Sequence, residues 1–265
     1  MRRMGILCAA LMLAAAGCSG KEQKSLLIYC GSSMQEPMEA IAQAYFEKTG
    51  VRVDLSMGDS GTLLIQAEER KEGDGFVAHD PFSQMAEAKG LVTETRAMAS
   101  MVPAIGVKIG TKGETEVKDL ADLAKPDLRV GVPDPVHATA GQLLAAMLRK
   151  AGLTDGIMSK KNLLVSRSSG ELVNALGLGS VDAIVAWDAL IRRNKDLKVI
   201  PIEEKYKVDA VTSATGKTYV ARTVNITLST LKSANDAAAA KAFLDFASGP
   251  EGRAAFEKFH FSAPE

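Results

Sequence analysis

The chain has 265 residues, 46% of them hydrophobic, with 32 basic side chains against 32 acidic ones and three cysteines. That length and apolar content suffice for a sizeable core, and zero net charge with no basic stripe or zinc-finger spacing argues against nucleic acid as a partner. Beyond the N-terminal run no stretch is apolar and long enough to span a membrane.

The chain opens with Met1-Arg2-Arg3, an apolar run over 6–16, then Gly17-Cys18-Ser19-Gly20 and the charged Lys21-Glu22-Gln23-Lys24. This is the layout of a secretory signal over 1–17, followed by a tether over 18–25. Cys18, directly after Ala15-Ala16-Gly17, resembles the lipobox of bacterial lipoproteins, which implies acylation of Cys18; a plain secretory signal is the alternative. Either reading exports the protein to the periplasm or the extracytoplasmic face of the membrane, and in the lipoprotein reading the lipid is its sole membrane attachment. Cys8 leaves with the signal and Cys18 carries the lipid, so Cys30 remains as a free thiol and no internal disulfide forms. Loss of Arg2 and Arg3 shifts the mature charge to about −2.

Residues 26–30 read as a buried strand, Gly31-Ser32-Ser33 as a turn and 35–48 as a helix ended by Gly50. Residues 51–57 alternate as a strand, 60–70 form a helix, 75–78 a short strand, and 81–89 a helix ended by Gly90. The middle repeats the scheme: a strand over 102–109, a loop over 110–113, a short helix over 118–123, a strand over 129–132 and the turn from Pro133 to Ala138. A helix over 139–150 closes at Gly152, a strand covers 163–166, and Ser168 to Glu171 has capping-box spacing. The strand 183–186 delivers Trp187 and Asp188. An extended run over 217–228 and helices over 234–247 and 250–258 complete the chain. Repeated β–α units imply mostly parallel sheets, with ligands beyond the carboxyl ends of the strands. No long linker interrupts them, so the chain reads as two lobes crossed twice, near 102–109 and 219–227.

Gly58-Asp59-Ser60-Gly61-Thr62 places small and hydroxyl residues at a helix start, and Ser32-Ser33 do the same one unit earlier. Unpaired amides, the helix dipole and glycine make such starts anion sites. Each serine alone equally suits a helix cap. The starts at Thr139 and Ser168 are their counterparts in the second block. His79, His137 and His260 lie far apart without metal spacing, and no motif places a base for Cys30, so no catalytic, metal or cofactor site is expected.

Ile28-Tyr29-Cys30-Gly31-Ser32-Ser33-Met34, Ser60-Gly61-Thr62-Leu63, Ala78-His79-Asp80, Val132-Pro133-Asp134-Pro135 with Ala140-Gly141, and Phe243-Leu244-Asp245-Phe246 through Phe259 are similar to the periplasmic molybdate-binding proteins of ABC importers. The resemblance implies an α/β fold of periplasmic binding protein type II. Its two βα lobes carry mixed, mostly parallel sheets joined by two crossover strands, with lobe I over 26–103 and 220–265 and lobe II over 104–219. It implies a monomer that captures a tetrahedral oxyanion of the molybdate or tungstate kind and hands it to an ABC permease and its ATPase. Carried over, the ligand set is Ser33 and Ser60 with their neighbours Ser32 and Gly61, the Ala140 amide, an amide near Glu171 or Leu172, and Trp187 where many relatives have tyrosine. Trp187 equally suits the core. Cys30 and Asp188 stand where they can tune the site. Another oxyanion, ferric ion or a sensory role stays open, although the tyrosine pair of ferric binders is missing.

Overall fold

The structure, a computed structural model, describes residues 25–212, 216, 218–220 and 223–264; the expected signal and most of the tether, Cys18 included, lie outside them. Strand and helix alternate from the start: β1 (Ser25–Gly31), a 3₁₀ turn (Ser32–Met34), α1 (Gln35–Thr49), β2 (Arg52–Gly58), α2 (Ser60–Arg70), β3 (Gly75–His79), α3 (Phe82–Ala88) and β4 (Val92–Met101). A second series follows: β5 (Pro103–Lys108), α4 (Lys112–Glu116), β6 (Val130–Pro133), α5 (Thr139–Ala151), α6 (Thr154–Met158), β7 (Leu163–Ser166), α7 (Ser169–Gly177), β8 (Ala183–Trp187), α8 (Asp188–Arg192) and β9 (Leu197–Pro201). The small pair β10 (Ala210–Thr212) and β11 (Thr218–Val220) precedes β12 (Val224–Leu231), α9 (Ala237–Ala247) and α10 (Pro250–Lys258).

Two five-stranded sheets result, ordered β2-β1-β3-β12-β4 and β7-β6-β8-β5-β9. β1 is parallel to β2 and β3, and β6 is parallel to β7 and β8. β12 runs against both β3 and β4, and β5 against both β8 and β9. Four strands in each sheet therefore point one way and one points back, and the two orders repeat one topology. β1 and β6 correspond, as do α1 and α5, and α2 and α7.

Side-chain alternation explains the packing. Along β1, Leu26, Ile28 and Cys30 join the core that holds Met34, Met38, Ile41 and Tyr45 of the α1 layer, while Tyr29 joins Leu63, Leu64 and Ala67 of α2. Gly50 and Gly152, both left-handed at φ 72° and 68°, close α1 and α5. α5 buries Leu143, Leu144, Met147 and Leu148 at helical spacing against the second sheet.

Several elements depart from expectation. The first crossing is compressed to Val102 between β4 and β5, because the whole of β5 already belongs to the second sheet. The extended run over 217–228 divides into β11 and β12, and the second crossing falls between them, where 221–222 lie outside the described residues. Residues 118–123 do not form an α-helix. The Asp119 and Asp122 carboxylates accept the amides of Lys118, Asp119, Ala121 and Asp122, which favours turns and a 3₁₀ segment, Ala121–Ala124. β4 and β9 carry no clean apolar alternation and escape the sequence reading.

Candidate functional site

In the first lobe β1 and β2 end side by side, with Gly31 registered against Gly58. Glycine at 31 is a matter of space rather than backbone angle. A Cβ there would lie 2.6 Å from the Ser60 hydroxyl and 2.7 Å from the Met34 methyl. The two helix starts thus touch. Ser32 ties them together by donating its hydroxyl to the Gly58 carbonyl at 3.0 Å, so that hydroxyl is committed to the loop.

Neither serine caps a helix. Asp59 is the N-cap of α2, and its carboxylate accepts from the amides of Gly61 and Thr62 at 3.0 and 3.1 Å. Aspartate at that position is as strong a capping residue as serine, so the signal was present in the sequence. The Gly61 amide, expected to bind ligand, is therefore spoken for. Ser60 sits one position inside the helix, 3% exposed. Ser33 lies in the 3₁₀ turn before α1, which also lacks a side-chain cap.

In the second lobe β6 and β7 end together at Pro133 and Ser166. Asp134 shapes the next turn by accepting the Val136 and His137 amides at 2.8 and 2.9 Å. Burial works to raise its pKa, but those amides and the His137 ring outweigh it and hold the carboxyl below its ordinary value. α5 begins at Thr139 with Ala138 in the cap position, so no side chain caps it, and the Ala140 amide stands in the unpaired first turn. α7 differs. Ser168 caps it by accepting from the Glu171 amide at 3.3 Å, and the Leu172 amide bonds to the Ser168 carbonyl at 3.3 Å. The amides of Glu171 and Leu172, expected as ligand donors, are thus both taken within the chain by Ser168, and Leu172 is fully buried. The capping box is also only half made: the Glu171 carboxylate takes the Ser166 hydroxyl instead of the cap amide.

Strand directions bring the two sets of loops together. β4 ends at Met101 on the same edge as β3, and two residues later Pro103 pairs with Trp187 at the end of β8. The carboxyl ends of both parallel sets therefore face each other across the crossing. His79, at the end of β3, meets Trp187 with ring centroids 5.7 Å apart, and Phe82 lies 5.6 Å from the same imidazole. Trp187 is 3% exposed and belongs to the buried core, as its alternative reading had it.

Asp188 has a structural assignment. Its carboxylate accepts the Val102 amide at 3.1 Å and its own amide donates to the Val102 carbonyl at 3.0 Å, which pins the crossing to α8. Cys30 is corrected outright as a tuning residue. It is fully buried on the α1 side of β1 among core side chains, and desolvation pushes its thiol far above the ordinary range, leaving a neutral group away from the cleft.

Sequence reasoning missed Arg193, just past α8. Its guanidinium donates to the Ser33 carbonyl at 3.1 Å, pairs with Glu36, and lies 5.2 and 5.8 Å from the rings of Phe261 and Phe259. It is the charge that reaches from the second lobe to the back of the first-lobe loop. Arg167, beside the α7 start, has a side chain 68% exposed and stands 3.9 Å from Asp134. Arg193→Leu is expected to cost about 1.5–3 kcal/mol, the range for a hydrogen bond to a charged group, read as a lower denaturant midpoint. An unchanged midpoint would show that the contact carries no stability.

His79 gives the fold a pH dependence. Desolvation lowers its pKa, against the opposing pull of the Asp80 carbonyl and the Asp80 and Asp59 charges. An unfolded histidine titrates near 6.5. The folded state binds fewer protons there, so this contribution is complete above about pH 6.5 and is lost as pH falls through that value toward the lower folded pKa. The melting temperature is expected to drop from pH 7 to pH 5.5, with a smaller drop in His79→Gln. Equal slopes in both proteins would remove His79 from the account.

Two βα units of one topology, joined through Val102 with their strand ends facing each other, make the type II periplasmic binding protein fold. A model of the bacterial extracellular solute-binding protein family matches residues 26–262, and the chain belongs to that family. It is 24% identical over 269 residues to the molybdate-binding protein ModA of Escherichia coli, covering 96% of this chain and 95% of that protein. The periplasmic molybdate-binding protein of Azotobacter vinelandii superposes with a TM-score of 0.70 at 19% identity, over 91% of this chain and all of that one. The substrate-binding domain of a putative molybdenum ABC transporter from Clostridium difficile gives 0.68 at 20% identity, over 91% and 99%. These relatives are binding proteins rather than enzymes.

Proposed function

We propose that this protein captures a tetrahedral oxyanion of the molybdate or tungstate class between lobe I (26–103 and 220–265) and lobe II (104–219) and delivers it to an ABC permease. The observation that carries this reading is that the strand ends of both sheets come together at the crossing, where His79 meets Trp187, with Ser33 and Ser60 at helix starts of the first sheet and the uncapped α5 with Ala140 at one of the second. Amides and hydroxyls of this kind are donors, which suits an anion without protons. Each hydrogen bond to a charged partner contributes roughly 1.5–3 kcal/mol, so five or six offset the ordering cost and leave about −8 kcal/mol, near micromolar. The names of the relatives support molybdate in particular.

A thermal-shift screen of molybdate, tungstate, sulfate and phosphate tests the reading. A ligand at about a hundred times its Kd adds about 2.7 kcal/mol to stability. That is a rise of roughly 5–11 °C for a domain of this size. The expected ranking puts molybdate and tungstate first. A response to sulfate or phosphate alone would keep the oxyanion site and reassign its ligand, and no response to any of the four would contradict the proposal.

Acylation of Cys18 belongs to the same reading, supported by the small residues before it and the charged segment after it. Wild-type protein is expected to incorporate a labelled fatty acid and fractionate with membranes. Cys18→Ala is expected to appear unlabelled and soluble. A wild type that never takes up label would mark the segment as an ordinary secretory signal.

A further inference from the structure

Thr139 is the first residue of α5 and is 4% exposed, yet its hydroxyl oxygen has no hydrogen-bond partner among the described residues. A buried hydroxyl without a partner carries a desolvation cost, so its retention calls for a reason. The Cα–Cβ bond of a helical residue leans toward the helix N-terminus, which places this hydroxyl over the unpaired amides at the head of α5. No side chain competes for that space, because the cap position is Ala138.

Helix and strand order supply independent support. The two sheets repeat one topology, which makes α5 the counterpart of α1 and α7 the counterpart of α2. Ser60 opens α2 and Ser169 opens α7, each the first helical residue and each buried, at 3% and 7% exposure. Thr139 stands at the same place in α5. Three helix starts at the facing strand ends thus carry a buried hydroxyl in their first position, and at α5 that oxygen is wholly buried without a partner among the described residues.

We propose that the Thr139 hydroxyl is a ligand-contacting residue of the second lobe, donating to one oxygen of the bound oxyanion beside the Ala140 amide. This inference rests on the oxyanion reading above and adds a donor to it. In Thr139→Val the shape of the side chain is kept and the hydroxyl is removed; in Thr139→Ser the hydroxyl is kept and a methyl is lost.

Calorimetric titration with sodium molybdate, paired with melting of the ligand-free protein, tests it, with Ser60→Ala as the reference. Thr139→Val is expected to bind molybdate about ten- to a hundredfold more weakly. Its ligand-free melting temperature is expected to equal or exceed that of the wild type, because an unsatisfied group has been removed. Thr139→Ser is expected to restore most of the affinity. Wild-type affinity in Thr139→Val with weakened Ser60→Ala would overturn the role of Thr139 and leave the site standing. A loss of both affinity and melting temperature that serine does not restore would make the residue a packing element and also overturn it. Failure of the wild type to bind molybdate, or full affinity in Ser60→Ala, would contradict the oxyanion reading itself and take this inference with it.

Discussion

Ser60→Ala is expected to weaken oxyanion binding about ten- to a hundredfold while leaving the ligand-free protein close to wild type in stability. The affinity loss follows from deleting one hydroxyl donor to a charged ligand, worth roughly 1.5–3 kcal/mol. A serine at a helix start normally confounds such an experiment, since losing an N-cap costs about 1 kcal/mol on its own. Here Asp59 holds the cap, and the Gly61 and Thr62 amides keep their partner when Ser60 is truncated. Alanine also adds no atom on the side facing Gly31, where the Ser60 hydroxyl now lies. Calorimetry and thermal melting should therefore separate cleanly. A mutant that loses stability and affinity together would show that the Ser60 hydroxyl serves the fold.

Gly141→Ala is expected to be the more damaging change, and by a different route. A Cβ at 141 would lie 2.0 Å from the Asp134 carbonyl oxygen and 2.7 Å from that of Pro133, both backbone atoms that cannot swing aside. α5 would have to lift from the end of β6, and the Thr139 and Ala140 positions would move with it. Alanine normally stabilises a helix interior over glycine by about 1 kcal/mol. Overpacking against backbone outweighs that gain, at about 3 kcal/mol, or a fall of roughly 6–12 °C in melting temperature. Oxyanion binding should fall as well. Unchanged melting would show that the turn from Asp134 to Ala138 absorbs the extra carbon without moving the helix.

The parts of this molecule written in local pattern were legible in the sequence. α2 and α10 fall where their periodicity places them, and Gly50 and Gly152 mark the ends of α1 and α5. The repeat of β–α units foretold two sheets, and the quoted motifs foretold their type II arrangement. Distinctions that depend on a partner far along the chain were not legible. Whether Cys30 faces the cleft or the core turns on which side of β1 carries α1, and the whole of that face is apolar either way. Asp188 reads as a site residue until Val102 arrives from 86 positions away to take its carboxylate. Arg193 carries no motif, and its hold on the Ser33 carbonyl exists only once the two sheets are apposed. At the helix starts the difficulty was local. Several adjacent residues can each cap or bind, and the fold assigns capping to Asp59 and Ser168, leaving the following Ser60 and Ser169 inside the first turn.

Two hollows on the surface do not compete with this site. One of about 430 Å³, lined by Glu39, Gln43, Phe46, Arg52, Asp54 and Leu55, lies on the outer flank of the first sheet between α1 and β2. It is shallow and carries carboxylates opposite a single guanidinium, a poor setting for a dianion. The other lies beside Arg192, Lys195 and His260 on the flank of α8. Neither receives the strand ends on which a ligand site in such sheets is built.

The central claim is that a tetrahedral oxyanion sits between the two sets of helix starts. Tungstate provides the direct measurement, because tungsten scatters anomalously and marks its own position in a crystal of the protein grown with it. The account predicts one strong anomalous peak between the lobes, within hydrogen-bonding distance of the Ser33 and Ser60 hydroxyls and the Ala140 amide. A peak elsewhere, or an empty cleft at saturating tungstate, would contradict it.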